Sequence, residues 1–127
     1  MKYLVIGGSG IIGSKFNQFL IKEKFDFLST YFKNEPDIQN TYFLDITKKS
    51  QVEKIVLEYN PDIIIHTSAL TNIDLCEEDN ELAYEINVRG FENVVNISKK
   101  INAKILFIST SHVFNRDKNE FSETDKT

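Results

Sequence analysis

Basic charge, cysteine and long apolar runs are all scarce in this chain of 127 residues. Fifteen Lys and Arg stand against nineteen Asp and Glu, a formal net charge of -4 with a pI near 5.2. A dedicated nucleic-acid binder would carry a basic stripe, so this balance argues against nucleic acid as a partner. The single cysteine, Cys76, can form no internal disulfide, which fits a reducing compartment. Purely apolar runs such as Ile63-Ile64-Ile65 fall far short of the roughly 20 residues that span a bilayer. The N-terminal apolar stretch breaks at once into Gly7-Gly8-Ser9-Gly10, unlike a secretory signal. Together these features predict a soluble, cytoplasmic protein without a membrane partner. Apolar residues make up 41% and charged residues 27%, enough to build a core. The length suits one domain, residues 1–127, with no repeat, linker or low-complexity tract.

What the chain does contain is an alternation of strand-length apolar blocks with stretches of helical period. Tyr3-Leu4-Val5-Ile6 reads as a short buried strand. Ile12, Phe16, Phe19 and Leu20 then share one face of a helix. Phe25 to Tyr31 reads as a second strand, and Asn34, Pro36, Asp37 and Asn40 mark a loop. Thr41 to Leu44 is a third strand. Ser50-Gln51-Val52-Glu53 has capping-box form, with Thr47 a competing cap one turn earlier. Val52, Ile55, Val56 and Tyr59 give that helix its inner face, and Asn60-Pro61 stops it. Asp62 to His66 is a fourth strand, whose consecutive isoleucines suit a parallel strand covered on both faces. After a polar segment, Asp79 or Asn80 opens the longest helix, carrying Ala83, Ile86, Gly90, Phe91, Val94 and Ile101. Ile105 to Ile108 is the fifth strand. Strands separated by helices require crossover connections, which are right-handed in nearly all proteins. The predicted fold is therefore α/β, a doubly wound parallel (Rossmann) sheet in the order 3-2-1-4-5. Such folds have about six strands when complete, and this chain ends soon after its fifth. An open fifth edge makes homo-oligomers an expectation.

Glycine is sparse too, with five in all, yet four of them fall between Gly7 and Gly13. They lie between the first strand and the first helix, where a phosphate site requires them. Two patterns overlap, Gly7-x-x-Gly10-x-x-Gly13 and Gly8-x-Gly10-x-x-Gly13. In either, the first glycine permits the tight turn, Gly10 lets backbone approach a pyrophosphate, and Gly13 lets the helix pack closely on the strand. The free amides at the start of the helix, Ile11 and Ile12, then face the anion, helped by the helix dipole. Dinucleotide binding is the expected chemistry. Sites selective for NAD usually carry an acidic residue at the end of the second strand. Here that region reads Ser29-Thr30-Tyr31-Phe32-Lys33, with no carboxylate before Glu35. Lys33 beside Tyr31 could attract a 2′-phosphate, favouring NADP with NAD as the alternative; it could equally be a solvated loop lysine.

These motifs, together with others nearer the C-terminus, resemble the extended short-chain dehydrogenase/reductases, and within them the dTDP-4-dehydrorhamnose reductase branch. The resemblance runs over essentially the whole chain. It is carried by Leu4-Val5-Ile6-Gly7, Leu44-Asp45-Ile46-Thr47, and Pro61 to Ala69. Further marks are Thr71-Asn72-Ile73-Asp74, Glu81-Leu82-Ala83-Tyr84 with Asn87, and Ile108-Ser109-Thr110-Ser111-His112-Val113-Phe114. The resemblance implies roles. Asp45 and Ile46 would border the adenine. Thr67, Ser68 and Ala69 would line the central part of the cofactor, with Thr71 near its ribose. Asn87 would support the site from its helix. Thr110 would be catalytic, hydrogen-bonding the substrate's keto oxygen as a pre-organised dipole. The implied protein is an NADP(H)-dependent reductase of a nucleotide-linked 4-keto sugar, with this chain its cofactor-binding half, truncated before the rest of the extended fold.

Two departures stand out. The family usually has Thr-Asp-Tyr-Val-Phe where this chain has Thr110-Ser111-His112-Val113-Phe114. The family's Tyr-x-x-x-Lys pair, a general-acid arrangement, should come after Thr110, but the last tyrosine here is Tyr84. The chain alone is therefore expected to be inactive. A nucleotide-sugar epimerase or dehydratase of the same superfamily is an alternative, and so is a non-catalytic dinucleotide-binding regulatory subunit. Several of these residues also have plain structural readings. Asp45 could be only a turn residue and Thr110 a turn cap, but their places after strands at the ligand-binding end favour the site readings. His66 reads as the end of a buried strand rather than a metal ligand, and no metal cluster is expected. His112 takes the family's tyrosine position and could face substrate. Cys76 reads as a small filler, and Glu77-Glu78-Asp79 as a solvated helix entry.

Overall fold

The computed structural model describes residues 1–110, 113 and 120–125. Its five strands are β1 (Lys2–Ile6), β2 (Asp26–Tyr31), β3 (Thr41–Phe43), β4 (Ile63–His66) and β5 (Lys104–Phe107). They form one parallel sheet in the order β3-β2-β1-β4-β5. This is the doubly wound order expected from the crossovers. Leu4 of β1 pairs in register with Leu28 of β2 and Ile64 of β4. The direction of growth reverses between β1 and β4, and that switch point is where open α/β sheets place their ligands.

Helices α1 (Ile11–Lys22) and α2 (Lys49–Tyr59) follow β1 and β3. After β4 come α3 (Ile73–Glu78), α4 (Asn80–Tyr84), a π-helical segment (Glu85–Gly90) and α5 (Phe91–Ile101). Successive strand residues point to opposite faces. Leu4, Ile6 and Ile64 therefore meet Val52 and Val56 of α2 and Val94 and Ile97 of α5. Val5 and Ile65 lie on the other face, with Phe27 and with Leu20 of α1. The continuous isoleucine run of β4 is thus apolar on both sides because both sides are covered. Asn60 and Asn102, at φ of 50° and 58°, close α2 and α5 in the left-handed conformation that ends many helices.

Several local expectations are corrected. The buried face of α1 is Gly13, Asn17 and Leu20, whereas Ile12 and Phe19, expected inside, are about half exposed. The glycine turn imposes that rotation, since only Gly13 can face it. Neither Ser50 nor Thr47 caps α2. The cap position is Lys48, without a side-chain bond; the Thr47 hydroxyl is instead drawn to Asp45 Oδ1 at 2.7 Å. The polar segment after β4 contains α3, opened by Asn72 Oδ1, which accepts from the Leu75 amide at 3.0 Å. Of the two candidate starts for the long helix, Asp79 is the cap, accepting from the Leu82 amide at 2.9 Å. That helix is not uniformly α, since Glu85–Gly90 widens to π geometry, a form often found at functional sites. Among the described residues, no helix is long and apolar enough to cross a membrane.

Candidate functional site

At the C-terminal ends of the strands, the chain from Gly7 to Gly10 turns β1 into α1. Gly7 has φ of +87°, and a Cβ on it would lie 2.9 Å from the Ser68 nitrogen and the Thr67 hydroxyl. A Cβ on Gly13 would lie 2.2 Å from the Gly7 carbonyl oxygen. Backbone thus demands glycine at both positions. Gly8 is different, since its crowding comes from the side chains of Ser29 and Asn17. The Gly7-x-x-Gly10-x-x-Gly13 reading is therefore the one that the backbone enforces. Gly10 is different again. Its added Cβ would meet one protein atom, the Gly7 oxygen at 3.3 Å, a tight approach but far milder than those at Gly7 and Gly13.

Neighbouring strands grip this turn. The Gly8 amide donates to the Thr30 carbonyl at 2.7 Å, and the Gly10 amide to the Gly7 carbonyl at 3.0 Å. The Thr67 hydroxyl donates to Ile6 at 2.9 Å and to Gly7 at 3.1 Å, tying the end of β4 to the end of β1. The first α1 bond in the ladder runs from the Ser14 amide to Gly10 at 2.8 Å. The preceding amides, Ile11 to Gly13, receive no cap side chain, and the first turn has no acidic residue. An anion is welcome at such an end.

A cavity of about 490 Å³ opens in front of the turn. It brings together Gly7, Gly10, Thr67, Ser68 and Ala69 from the β1 and β4 ends. It also brings in Tyr31 and Lys33 after β2, and Asp45 and Ile46 after β3. Asp45 Oδ1 accepts from the Thr47 amide at 3.0 Å, so that carboxylate also shapes its own turn. Ile46 is buried and packs against Gly90, where a Cβ would come within 2.8 Å of it. The Tyr31 ring meets Phe43 edge-on. Desolvation and the neighbouring Glu35 carboxylate, to which it donates, raise its pKa. Glu35 also accepts from the Thr41 hydroxyl at 3.1 Å.

The other predicted residues lie outside that lining. Ile11 and Ile12 expose their side chains, so only their main chain faces the turn region. Thr71 is exposed on the loop after β4. Asn87, in the π segment, holds Leu70 by both main-chain groups: its Oδ1 accepts from the Leu70 amide at 2.8 Å, and its Nδ2 donates to the Leu70 carbonyl at 3.0 Å. Leu70 itself lines the cavity. Thr110 is exposed beyond β5, its carbonyl accepting from the Val113 amide at 3.4 Å. His112 lies outside the described residues.

His66 is buried against Phe91 and Phe107, with ring centroids 4.9 and 5.8 Å away. Burial lowers its pKa to about 4, against a main-chain bond to Ser68 that opposes the shift, so it is a neutral core residue. Cys76 is half-buried, its thiol 3.6 Å from the Leu70 carbonyl. Among the described residues, no group of three or more His, Cys, Asp or Glu could hold a metal ion. Sequence reasoning missed the apolar wall supplied by Leu75 and Leu82, and the buried pair Asn17 and Ser29 beneath the turn. The spacing of Asn17, four residues after Gly13 and three before Leu20, was the available signal.

The family described as the RmlD substrate binding domain matches residues 1–127. A dTDP-4-dehydrorhamnose reductase from Aggregatibacter actinomycetemcomitans is 30% identical over 126 residues, 98% of this chain and 40% of that protein. The crystal structure of a hypothetical dTDP-4-dehydrorhamnose reductase from Sulfolobus tokodaii superposes with a TM-score of 0.89 at 34% identity, covering 98% of this chain and 45% of that one. A dTDP-4-dehydrorhamnose reductase from Bacillus anthracis, solved in complex with NADP, gives 0.80 at 36% identity, covering 94% and 39%. This chain spans less than half the length of each of these relatives.

Proposed function

This chain belongs to the RmlD substrate binding domain family, and from that premise we propose that its cavity holds NADP(H) for reduction of a nucleotide-linked 4-keto sugar. The observation that carries this reading is Gly10. Protein packing forces glycine at Gly7 and Gly13, whereas Gly10 meets the protein closely at one backbone atom only and lines the cavity. A pyrophosphate pressed against that backbone, at the start of α1, accounts for glycine there. The Bacillus anthracis relative was solved with NADP, which supports the same choice of cofactor.

The residues fit such a group along its length. Asp45 and Ile46 border the adenine end, with Tyr31 and Lys33 beside the ribose. Lys33 supplies a positive charge where a 2′-phosphate would lie, and no acidic residue follows β2 before Glu35; NADP is preferred over NAD. Thr67, Ser68 and Ala69 line the middle, Thr71 stands near the ribose beyond them, and Asn87 braces the loop through Leu70. The amides of Ile11 and Ile12 face the diphosphate. Nicotinamide, when bound, supplies a hydride. Thr110 would hydrogen-bond the keto oxygen of the sugar and favour charge building up on it. This chain supplies the cofactor half of that reaction.

Calorimetric titration with NADPH and NADH tests the reading. NADPH is expected to bind, and more tightly than NADH. Gly10→Val should fold, with a stability loss of about 1–2 kcal/mol at this cap position. It should also weaken NADPH binding by at least about tenfold. Failure of the unaltered protein to bind either dinucleotide sinks the proposal.

A further inference from the structure

Beneath the glycine turn, on the side away from the cavity, lies a buried polar pair that the cofactor reading does not use. Asn17, in the middle of α1, is 2% exposed, and Ser29 of β2 is fully buried. Asn17 Nδ2 donates to the Gly8 carbonyl at 3.0 Å. Ser29 packs so closely that a Cβ on Gly8 would lie 1.9 Å from its hydroxyl oxygen. Neither Asn17 Oδ1 nor Ser29 Oγ has a hydrogen-bond partner. Burying polar atoms unpaired is costly, and Leu20, one turn on, shows that this helix face accepts an apolar side chain. Core packing therefore does not explain asparagine at position 17.

Its one bond does. The turn's other anchors come from main chain or from Thr67, whereas the Gly8 carbonyl is held by the Asn17 side chain. The Gly8–Ser9 peptide is trans and planar, so its carbonyl and its amide point in opposite directions. Drawing the carbonyl inward onto Asn17 turns the Ser9 amide outward, toward the side on which Ser9 and Gly10 line the cavity. We infer that Asn17 is a positioning residue, setting the tilt of that peptide so that the Ser9 amide meets a diphosphate. This rests on the cavity being the dinucleotide site. Asn17 touches neither cofactor nor substrate and acts only through Gly8.

Two substitutions and three ligands test it. Asn17→Leu removes the donor and keeps the same branching in a somewhat larger, apolar side chain. It should still fold, melting lower only by what the unpaired Gly8 carbonyl and the tighter fit cost, yet bind NADPH and ADP about tenfold more weakly. Its affinity for 2′-AMP, which lacks the diphosphate, should be unchanged. Asn17→Asp keeps size and shape but donates only when its carboxyl is protonated. Burial favours the protonated form at low pH. Its NADPH affinity, divided by that of the unaltered protein at each pH, should therefore rise as the pH falls from about 8 to about 5. Equal NADPH affinities for Asn17→Leu and the unaltered protein overturn the inference, as does a parallel loss for 2′-AMP. Should Asn17→Leu not fold, a flat pH ratio for Asn17→Asp overturns it instead. If the unaltered protein binds NADPH and these variants match it, only this inference falls. If the unaltered protein binds no dinucleotide, the reading of the cavity falls first and takes the inference with it.

Discussion

The two faces of the sheet bury different things. Among the described residues, nine buried apolar side chains form one cluster on the α2 and α5 side. On the α1 side the corresponding cluster has four, and next to it sit Asn17 and Ser29 with polar atoms left unpaired. The difference reflects what each face supports. The larger cluster fixes α2 and α5 to the sheet, and its edge at Leu44 and Ile46 reaches the cavity wall. The smaller one lies under the turn from Gly7 to Gly10, where close backbone approach and defined peptide orientation matter more than apolar area. Apolar packing is concentrated on one side of the sheet, and the polar support of the glycine turn on the other.

Adjacent residues of β4 offer the largest test of that contrast, because Ile64 faces the larger cluster and Ile65 the smaller. Truncating a buried isoleucine to alanine costs about 2–5 kcal/mol, less where the surroundings can collapse into the space. Ile64→Ala should fall near the top of that range, about 4 kcal/mol, and Ile65→Ala near the bottom, about 2 kcal/mol. Urea denaturation measures both, and equal losses would erase the distinction between the faces.

His66 sharpens the comparison as a polar residue on the stable side. Its pKa is about 4 in the folded protein and near 6.5 when unfolded. Below pH about 6.5 the unfolded chain takes up a proton that the folded chain resists, so stability falls as pH drops from there through about 4. The full loss is on the order of 3 kcal/mol. Above pH about 7 this group contributes no slope. His66→Phe should flatten that part of the stability profile, and an unchanged profile would show that the imidazole is solvated. The smallest effect belongs to the exposed pair between Lys100 of α5 and Glu53 of α2, 3.3 Å apart. Lys100→Gln should cost under about 0.5 kcal/mol, less than the scatter between the two isoleucine variants.

Strand order was legible because apolar blocks of strand length alternate with helical periods, and crossover handedness then leaves few topologies. The glycine turn was legible because its residues stand in a fixed spacing between a strand and a helix. The rest was hidden for physical reasons. Asn17 shows in the sequence only as a polar residue in phase with Gly13 and Leu20, and that spacing alone does not say that Gly13 rotates α1 and carries Asn17 inward. Ser50 and Thr47 have the composition of caps, but Asp45 competes for the Thr47 hydroxyl and Lys48 takes the cap position. The helix α3 lacks a core-facing stripe, having no buried residue, so periodicity could not find it. The π segment is built from residues that suit an ordinary helix.

In that segment the winding itself carries information. Each residue advances an α-helix by about 100°, so a locally wider turn shifts the angular phase of α5 relative to α4. Upstream, Leu82 looks toward the cavity, as does Ile86 near the start of the segment; downstream, Val94 and Ile97 look toward the sheet. One continuous rod serves two masters because its winding slips between them. Excising one residue from Glu85–Gly90 would restore uniform winding and swing one set away from its target. Substitutions that spare Gly90, pressed against Ile46, and Asn87, which holds Leu70, are tolerable in principle; a change in the number of residues is not.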